Sequence, residues 1–204
     1  MRAGVIIAGG RSTRFGEQDK AVADLAGTPV VCRVADRLGQ VVDELVVNCR
    51  PDQRGAIEEA LRTVDPVPTV AEDPEPDRGP MAGLVTGLRA VDSEYAAAVA
   101  CDMPFVDPGF LDYLFERAAG RDAAVPKPDE WVQPMQAVYR VEPTVAACTA
   151  ALERGESRVV APLATLEHVV VGPEGVREHA TPATFENLNT RAEFEAAAER
   201  LHGE

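Results

Sequence analysis

Three cations follow one glycine turn near the start of the chain: Gly9 and Gly10 are succeeded by Arg11, Arg14 and Lys20. Glycines let backbone N–H groups approach an anion with no Cβ in the way, and positive side chains nearby would hold its charge. In a chain of net charge −14, that combination reads as a phosphate cradle. Two better-known cradles are excluded by spacing. A Walker A loop ends in Gly-Lys-Ser/Thr, whereas Gly16 is followed by Glu17 and Gln18. A dinucleotide fingerprint opens directly into a helix, whereas here Glu17, Gln18, Asp19 and Lys20 separate Gly16 from Ala21. The second chemical candidate is Asp102, at the end of the small apolar run 96–101. A carboxylate there costs desolvation free energy unless a cation meets it, and beside a bound phosphate that cation would be Mg2+, a hard ion preferring oxygen ligands.

The elements that must position these residues alternate. Val5, Ile6 and Ile7 form a β-branched run suited to a buried parallel strand. Thr28 and Pro29 read as an N-cap and first helical residue before Val31, Val34, Leu38 and Val41 at helical spacing. A second strand follows at 44–49, and Pro51-Asp52 opens a second helix through about Leu61. Residues 69–73 make a third strand, ending in an exposed, mobile loop with Pro74, Pro76, Gly79 and Pro80. Met81, Leu84, Val85 and Leu88 then mark a helix begun by Pro80. Residues 96–101 form a central strand, and Asp107-Pro108 starts a helix with Leu111, Leu114, Phe115 and Ala118 inward. Strands at 123–126 and 136–139 bracket a loop containing Lys127 and Trp131; 169–171 is a late strand, and Thr190-Arg-Ala-Glu193 is a capping box opening the last helix. The rhythm implies an α/β fold with a mostly parallel sheet and helices on both faces. In such sheets ligands sit at the carboxyl ends of strands, so the residues to read are Gly9, Gly10, Asn48, Asp73, Asp102 and Asn187.

At 204 residues and 46% hydrophobic, the chain can bury a sizeable core as one domain spanning 1–204. Its charge and a sequence pI of about 4.6 argue against nucleic acid or an anionic membrane as partner. Lys20 and Lys127 are the only lysines, and an acidic, lysine-poor surface fits a protein kept soluble at high salt. Cys32, Cys49, Cys101 and Cys148 lack metal-site spacing and read as reduced core thiols; His168, His179 and His202 are scattered. No apolar stretch approaches the roughly 20 residues needed to span a bilayer, and the expected location is the cytoplasm.

Ala8-Gly9-Gly10-x-x-x-Arg14-x-Gly16, followed by Lys20, resembles the signature loop of nucleotidyltransferases that move an NMP from an NTP onto a phosphorylated acceptor. Cys101-Asp102-Met103-Pro104, Asp73 with Gly79-Pro80-Met81-Ala82-Gly83-Leu84, Val47-Asn48, Gln133-Pro134 with Ala137 and Tyr139, and Phe185-x-Asn187-x-Asn189-Thr190 resemble, in register, elements of the molybdenum cofactor guanylyltransferase family. The resemblance implies a Rossmann-like three-layer sandwich that joins GMP from Mg2+-GTP to the phosphate of a molybdopterin-type cofactor and releases pyrophosphate. It implies that Ala8, Gly9 and Gly10 border guanine and ribose, that Arg14 and Lys20 grip the phosphates, and that Asn48 and Asp73 contact the nucleoside. Asp102 would hold Mg2+, and Gln133, Asn187 and Asn189 would face the acceptor. The nucleotide part would cover about 1–106 and the acceptor part about 107–204. Gly9 resembles the guanylyl form, where cytidylyl relatives tend to have alanine. Implied partners are the enzyme that donates the cofactor and the apo-enzymes that receive it. The alternatives are a guanylyltransferase for a corrinoid precursor or phospho-organic acid, a sugar-phosphate nucleotidyltransferase, and a non-catalytic nucleotide-binding relative.

Overall fold

The apolar run Arg2–Ile7 becomes β1, the middle of a seven-stranded sheet, in the computed structural model, which describes residues 1–10, 19–75 and 77–203. A two-residue hairpin of Asp24–Leu25 (β2) and Thr28–Pro29 (β3) stands apart from that sheet. Glu44–Cys49 (β4) pairs with β1 in parallel on one side, and Thr69–Glu72 (β5) pairs in parallel beyond it. Tyr95–Ala100 (β6) pairs in parallel with β1 on the other side. Past β6 come Gln136–Arg140 (β8), Ala123–Pro126 (β7) and His168–Val171 (β9), giving the order β5-β4-β1-β6-β8-β7-β9. Within this sheet β8 alone runs against its neighbours, while β7 and β9 pair in parallel.

Both faces of the sheet are covered. Helices α1 (Val30–Leu38), α2 (Arg54–Ala60), α4 (Pro108–Ala118), α6 (Pro173–His179) and α7 (Arg191–His202) share one apolar cluster with Ile6, Ala97 and Val99. Helices α3 (Pro80–Arg89) and α5 (Val141–Glu153) share another with Val5, Ile7, Ala96 and Ala98. Neighbours along β1 and β6 therefore alternate between the two cores, as period-two side chains in a doubly covered sheet must. Small residues set the spacing: a Cβ added at Gly87 of α3 would strike the Val5 side chain, so glycine lets this helix lie against β1.

The expected three-layer α/β sandwich is what the chain forms, with local corrections. Thr28 does not cap a helix; it pairs with Leu25 across a turn in which Ala26 and Gly27 take φ of 51° and 81° and the Asp24 carboxylate accepts the Gly27 amide at 3.0 Å. The hairpin claims Thr28, and α1 begins at Val30 without a side-chain cap. The second helix starts at Arg54 rather than Pro51; residues 51–53 form a turn in which the Gln53 amide donates to the Arg50 carbonyl at 3.0 Å and the Gln53 side chain accepts the Arg50 amide at 2.9 Å. The 13-residue α5 has no counterpart in the sequence pattern: its alanine-rich sequence spreads apolar residues round the helix, so no stripe announces it.

The chain steps from β1 outward through β4 to β5, then returns to the opposite flank of β1 as β6. Strand order reverses between β1 and β6. The crevice past their carboxyl ends, bounded by the glycine turn and Asp102, is where such sheets bind ligands. Among the described residues no helix is long and apolar enough to cross a membrane.

Candidate active site

A cavity of about 370 Å3 opens at that reversal point. Its floor is the end of β1 and the turn Ala8-Gly9-Gly10; Asn48 and Asp73 close one flank, and Lys20 and Asp102 the other. The rim is formed by Glu75, Asp77, Arg78 and the N-terminus of α3 at Gly79-Pro80.

Lys20 sits on a 3-10 turn, Lys20–Val22, whose N-cap Asp19 accepts the Ala21 amide at 3.0 Å. The lysine is buried, 8% exposed, a state that this residue type rarely reaches without a counter-charge. Its Nζ donates to Asp102 Oδ2 at 3.1 Å and to Asn189 Oδ1 at 3.2 Å. Asp102 follows the last residues of β6, and its backbone carbonyl accepts the Leu188 amide at 2.9 Å, pinning the segment that carries Asn189. That segment is squared off by the capping box: Glu193 Oε2 accepts the amides of Asn189 at 2.7 Å and Thr190 at 2.9 Å. Those two backbone donors hold the Glu193 carboxyl below its ordinary value.

The opposite flank is a second polar pair. Asn48 Nδ2 donates to Asp73 Oδ1 at 2.7 Å, and Asp73 is held in place by its own amide on the Cys49 carbonyl at 2.8 Å. Glycines make room for this pair. A Cβ at Gly9 would stand 2.8 Å from Asp73 Oδ2, and one at Gly83 would collide with Asn48 Oδ1. Two buried oxygens, Asn48 Oδ1 and Asp102 Oδ1, have no donor among the described residues. A buried acceptor without a partner costs on the order of 1–3 kcal/mol, so both suit a bound group that supplies a donor or a cation.

The donor set bears on which cation fits. No cluster of three or more His, Cys, Asp or Glu occurs among the described residues. A soft or fully protein-caged metal is therefore a poor match, whereas Mg2+ is commonly held by one or two carboxylates and substrate phosphates. Asp102, with one oxygen on Lys20 and the other without a donor among the described residues, fits that pattern. Neighbouring thiols offer no nucleophile. Burial, and then the adjacent Asp102 carboxylate, push the Cys101 thiol far up, and burial, then Asp73, push Cys49 up to about 11.

The structure thus brings Ala8, Gly9, Gly10, Lys20, Asn48, Asp73 and Asp102 to one cavity. Asn189 joins them through Lys20. Asn187 is exposed and donates its side chain to the Phe185 carbonyl at 3.2 Å, and Gln133 lies in the β7–β8 loop, where its amide donates to the Pro126 carbonyl at 2.8 Å. From that loop Met135, rather than Gln133, lines the cavity. Arg14, like Arg11 and Gly16, lies outside the described residues. Two residues were missed. Arg50 donates to the Gly9 and Gly10 carbonyls, and Gln53 Nε2 donates to the Ala8 carbonyl at 3.0 Å. A long polar pair immediately after β4, at the ligand-bearing edge, was the available signal.

Comparison with known proteins follows the same line. The model of the MobA-like NTP transferase domain matches residues 4–169. A protein of Natronomonas pharaonis named "Probable molybdenum cofactor guanylyltransferase" is 52% identical over 200 residues, 98% of either chain. One of the same name from Haloferax mediterranei is 42% identical over 98% of this chain and 94% of that one. The crystal structure of molybdopterin-guanine dinucleotide biosynthesis protein A from Archaeoglobus fulgidus superposes with a TM-score of 0.82, at 25% identity and over 100% of both chains.

Proposed function

The chain belongs to the MobA-like NTP transferase family, and on that premise we propose that it moves GMP from GTP onto the phosphate of a molybdopterin-type cofactor and releases pyrophosphate. The observation that carries the reading is the convergence of Lys20, Asp102 and Asn189 beside the Gly9-Gly10 turn at the reversal point of the sheet. It joins a cation and two orphaned acceptors to a side-chain-free floor, which is what a triphosphate and its metal require.

In this reaction an acceptor phosphate oxygen forms a bond to the α-phosphorus of GTP while the bond from that phosphorus to the bridging oxygen breaks. No covalent enzyme intermediate is needed, since the acceptor is already ionised. The obstacle is the approach of two anions, so positioning and charge neutralisation supply most of the acceleration. An ammonium has three N–H donors; Asp102 and Asn189 take two of those on Lys20, leaving one for a phosphate oxygen. Asp102 Oδ1 would hold Mg2+, which when bound would offset triphosphate charge. Asn48 and Asp73 would meet the nucleoside, with Asn48 Oδ1 ready to accept from it. Arg14 would add a second phosphate contact. Gln133, Asn187 and Asn189 would serve the acceptor, making 1–106 the nucleotide part and 107–204 the acceptor part. Asn189, bonded to Lys20, would then stand at the junction of the two.

The test is incubation of the full chain with Mg2+-GTP and molybdopterin while pyrophosphate is followed. Release should require both substrates and metal, and should fall at least tenfold with CTP. Pyrophosphate release that ignored the pterin would refute the acceptor, and faster turnover with CTP would refute the base.

A further inference from the structure

Arg50 is 7% exposed, in a protein whose other charged side chains mostly reach solvent, yet it does not line the cavity. It lies behind the wall. Its Nη1 donates to the Gly9 carbonyl at 3.1 Å and the Gly10 carbonyl at 2.9 Å. Its Nε and Nη2 donate to the Asp52 carboxylate at 3.0 and 3.1 Å, and Nη2 also stands 3.8 Å from Asp19 Oδ2. The guanidinium therefore bridges the chain on both sides of residues 11–18. On one side is the glycine turn; on the other is Asp19, the cap of the 3-10 turn that begins with Lys20.

The orientation matters more than the charge. In a planar trans peptide the carbonyl and the amide point opposite ways. Gln53 holds the Ala8 carbonyl and Arg50 the Gly9 carbonyl, so the amides of Gly9 and Gly10 are turned away from both side chains. Among the described residues neither amide donates to a backbone acceptor. Both glycines border the cavity.

We propose that Arg50 is a positioning residue for the triphosphate: it fixes the glycine-turn peptides with their amides free for an anion and ties that turn to the cap of the Lys20 turn. Donors from both places then address the same phosphates. An arginine suits this task because its planar fork serves several acceptors in fixed directions, which a lysine's single ammonium does not reproduce. The inference rests on the reading of this cavity as a nucleoside triphosphate site.

Its test compares the full-length chain with Arg50→Ala and Arg50→Lys for affinity toward Mg2+-GTP and toward guanosine, which lacks phosphates. Arg50→Ala should weaken GTP binding on the order of 10–100-fold, the scale set by misplaced positioning groups, and leave guanosine within about twofold. Arg50→Lys should remain nearly as impaired, and millimolar guanidinium ion, but not urea, should restore part of the GTP affinity of Arg50→Ala. Equal losses for GTP and guanosine, or wild-type behaviour of Arg50→Lys, would leave Arg50 a structural residue and overturn the proposal. Should Arg50→Ala fail to fold, Arg50→Lys supplies the same GTP-against-guanosine comparison. A wild-type chain that binds GTP far more tightly than guanosine yet releases no pyrophosphate with molybdopterin would sink the acceptor reading alone. One that binds the two equally would overturn both.

Discussion

Lys20 Nζ and Asp102 Oδ2 lie 3.1 Å apart although 82 positions separate them in the chain. One ligand can therefore touch both. If Lys20 supplies a preorganised donor to the phosphates, Lys20→Ala lowers kcat by roughly 10²–10³, the effect of deleting one such donor elsewhere. Asp102→Ala abolishes metal-dependent turnover while circular dichroism shows the same secondary structure, and its melting temperature falls because the buried Lys20 ammonium loses its counter-charge. Asp102→Ala that still turned over with Mg2+ would remove this residue from the metal site.

Gly9→Ala places a methyl group 2.8 Å from Asp73 Oδ2, too close for either to stay. The carboxylate must swing off Asn48, so the Asn48–Asp73 flank is disturbed while Lys20 and Asp102 are not. The KM for GTP should rise by about tenfold, within the range of 1–3 kcal/mol that one methyl commands in a pocket, with kcat less affected. Steady-state kinetics with GTP and CTP would check this, and an unchanged KM would mean that Asp73 does not meet the nucleoside.

The capping box predicts an acid limb to stability. Glu193 has its folded-state pKa lowered by the Asn189 and Thr190 amides, so its contribution is present above its unfolded value and is lost as pH falls through the lower folded one. Melting temperatures of wild type and Glu193→Gln should therefore differ at neutral pH, draw together as pH falls past the ordinary glutamate value of about 4.3, and converge only once the lowered folded-state carboxyl is itself protonated. A gap that stayed constant across that window would rule out the carboxylate form as the cap.

All four cysteines are free and buried, and burial raises every one of their thiol pKa values, Cys49 and Cys148 to about 11. Thiolate is the reactive form. Native protein at pH 8 should react with a thiol-directed chromogen only on the timescale of unfolding, and denatured protein with four equivalents at once. A rapid first equivalent in the native state would show that one thiol is open to solvent.

Much of this architecture was legible in order and type. The β-branched run at Val5–Ile7, the alanine-rich β6, and the helix starts at Pro80 and Pro108 are local signals, and tertiary structure did not override them. The Thr190 capping box is equally local, and it forms. What failed was context. Thr28-Pro29 has the chemistry of a helix start, but the preceding Asp24-Leu25-Ala26-Gly27 prefers a tight hairpin, and the pairing absorbs the threonine. Helix α5 hides because its alanines suit any face. At the site, short polar residues past strand ends were found because topology alone sends them to the ligand edge. Arg50 and Gln53 were not, because their partners are backbone carbonyls, and a carbonyl has no signature in sequence.

The amide of Leu188 donates to the carbonyl of Asp102, and Asn189 beside it accepts from Lys20. During synthesis, then, a nascent polypeptide that has emerged only through residue 180 already possesses the glycine turn, the lysine and the aspartate, but lacks their closing clasp. Residues 188 and 189 thus close the site from far along the polypeptide, so proteolytic trimming before them should leave the glycine turn, Lys20 and Asp102 without their clasp and strip Leu188, Phe194 and Ala197 from the apolar cluster.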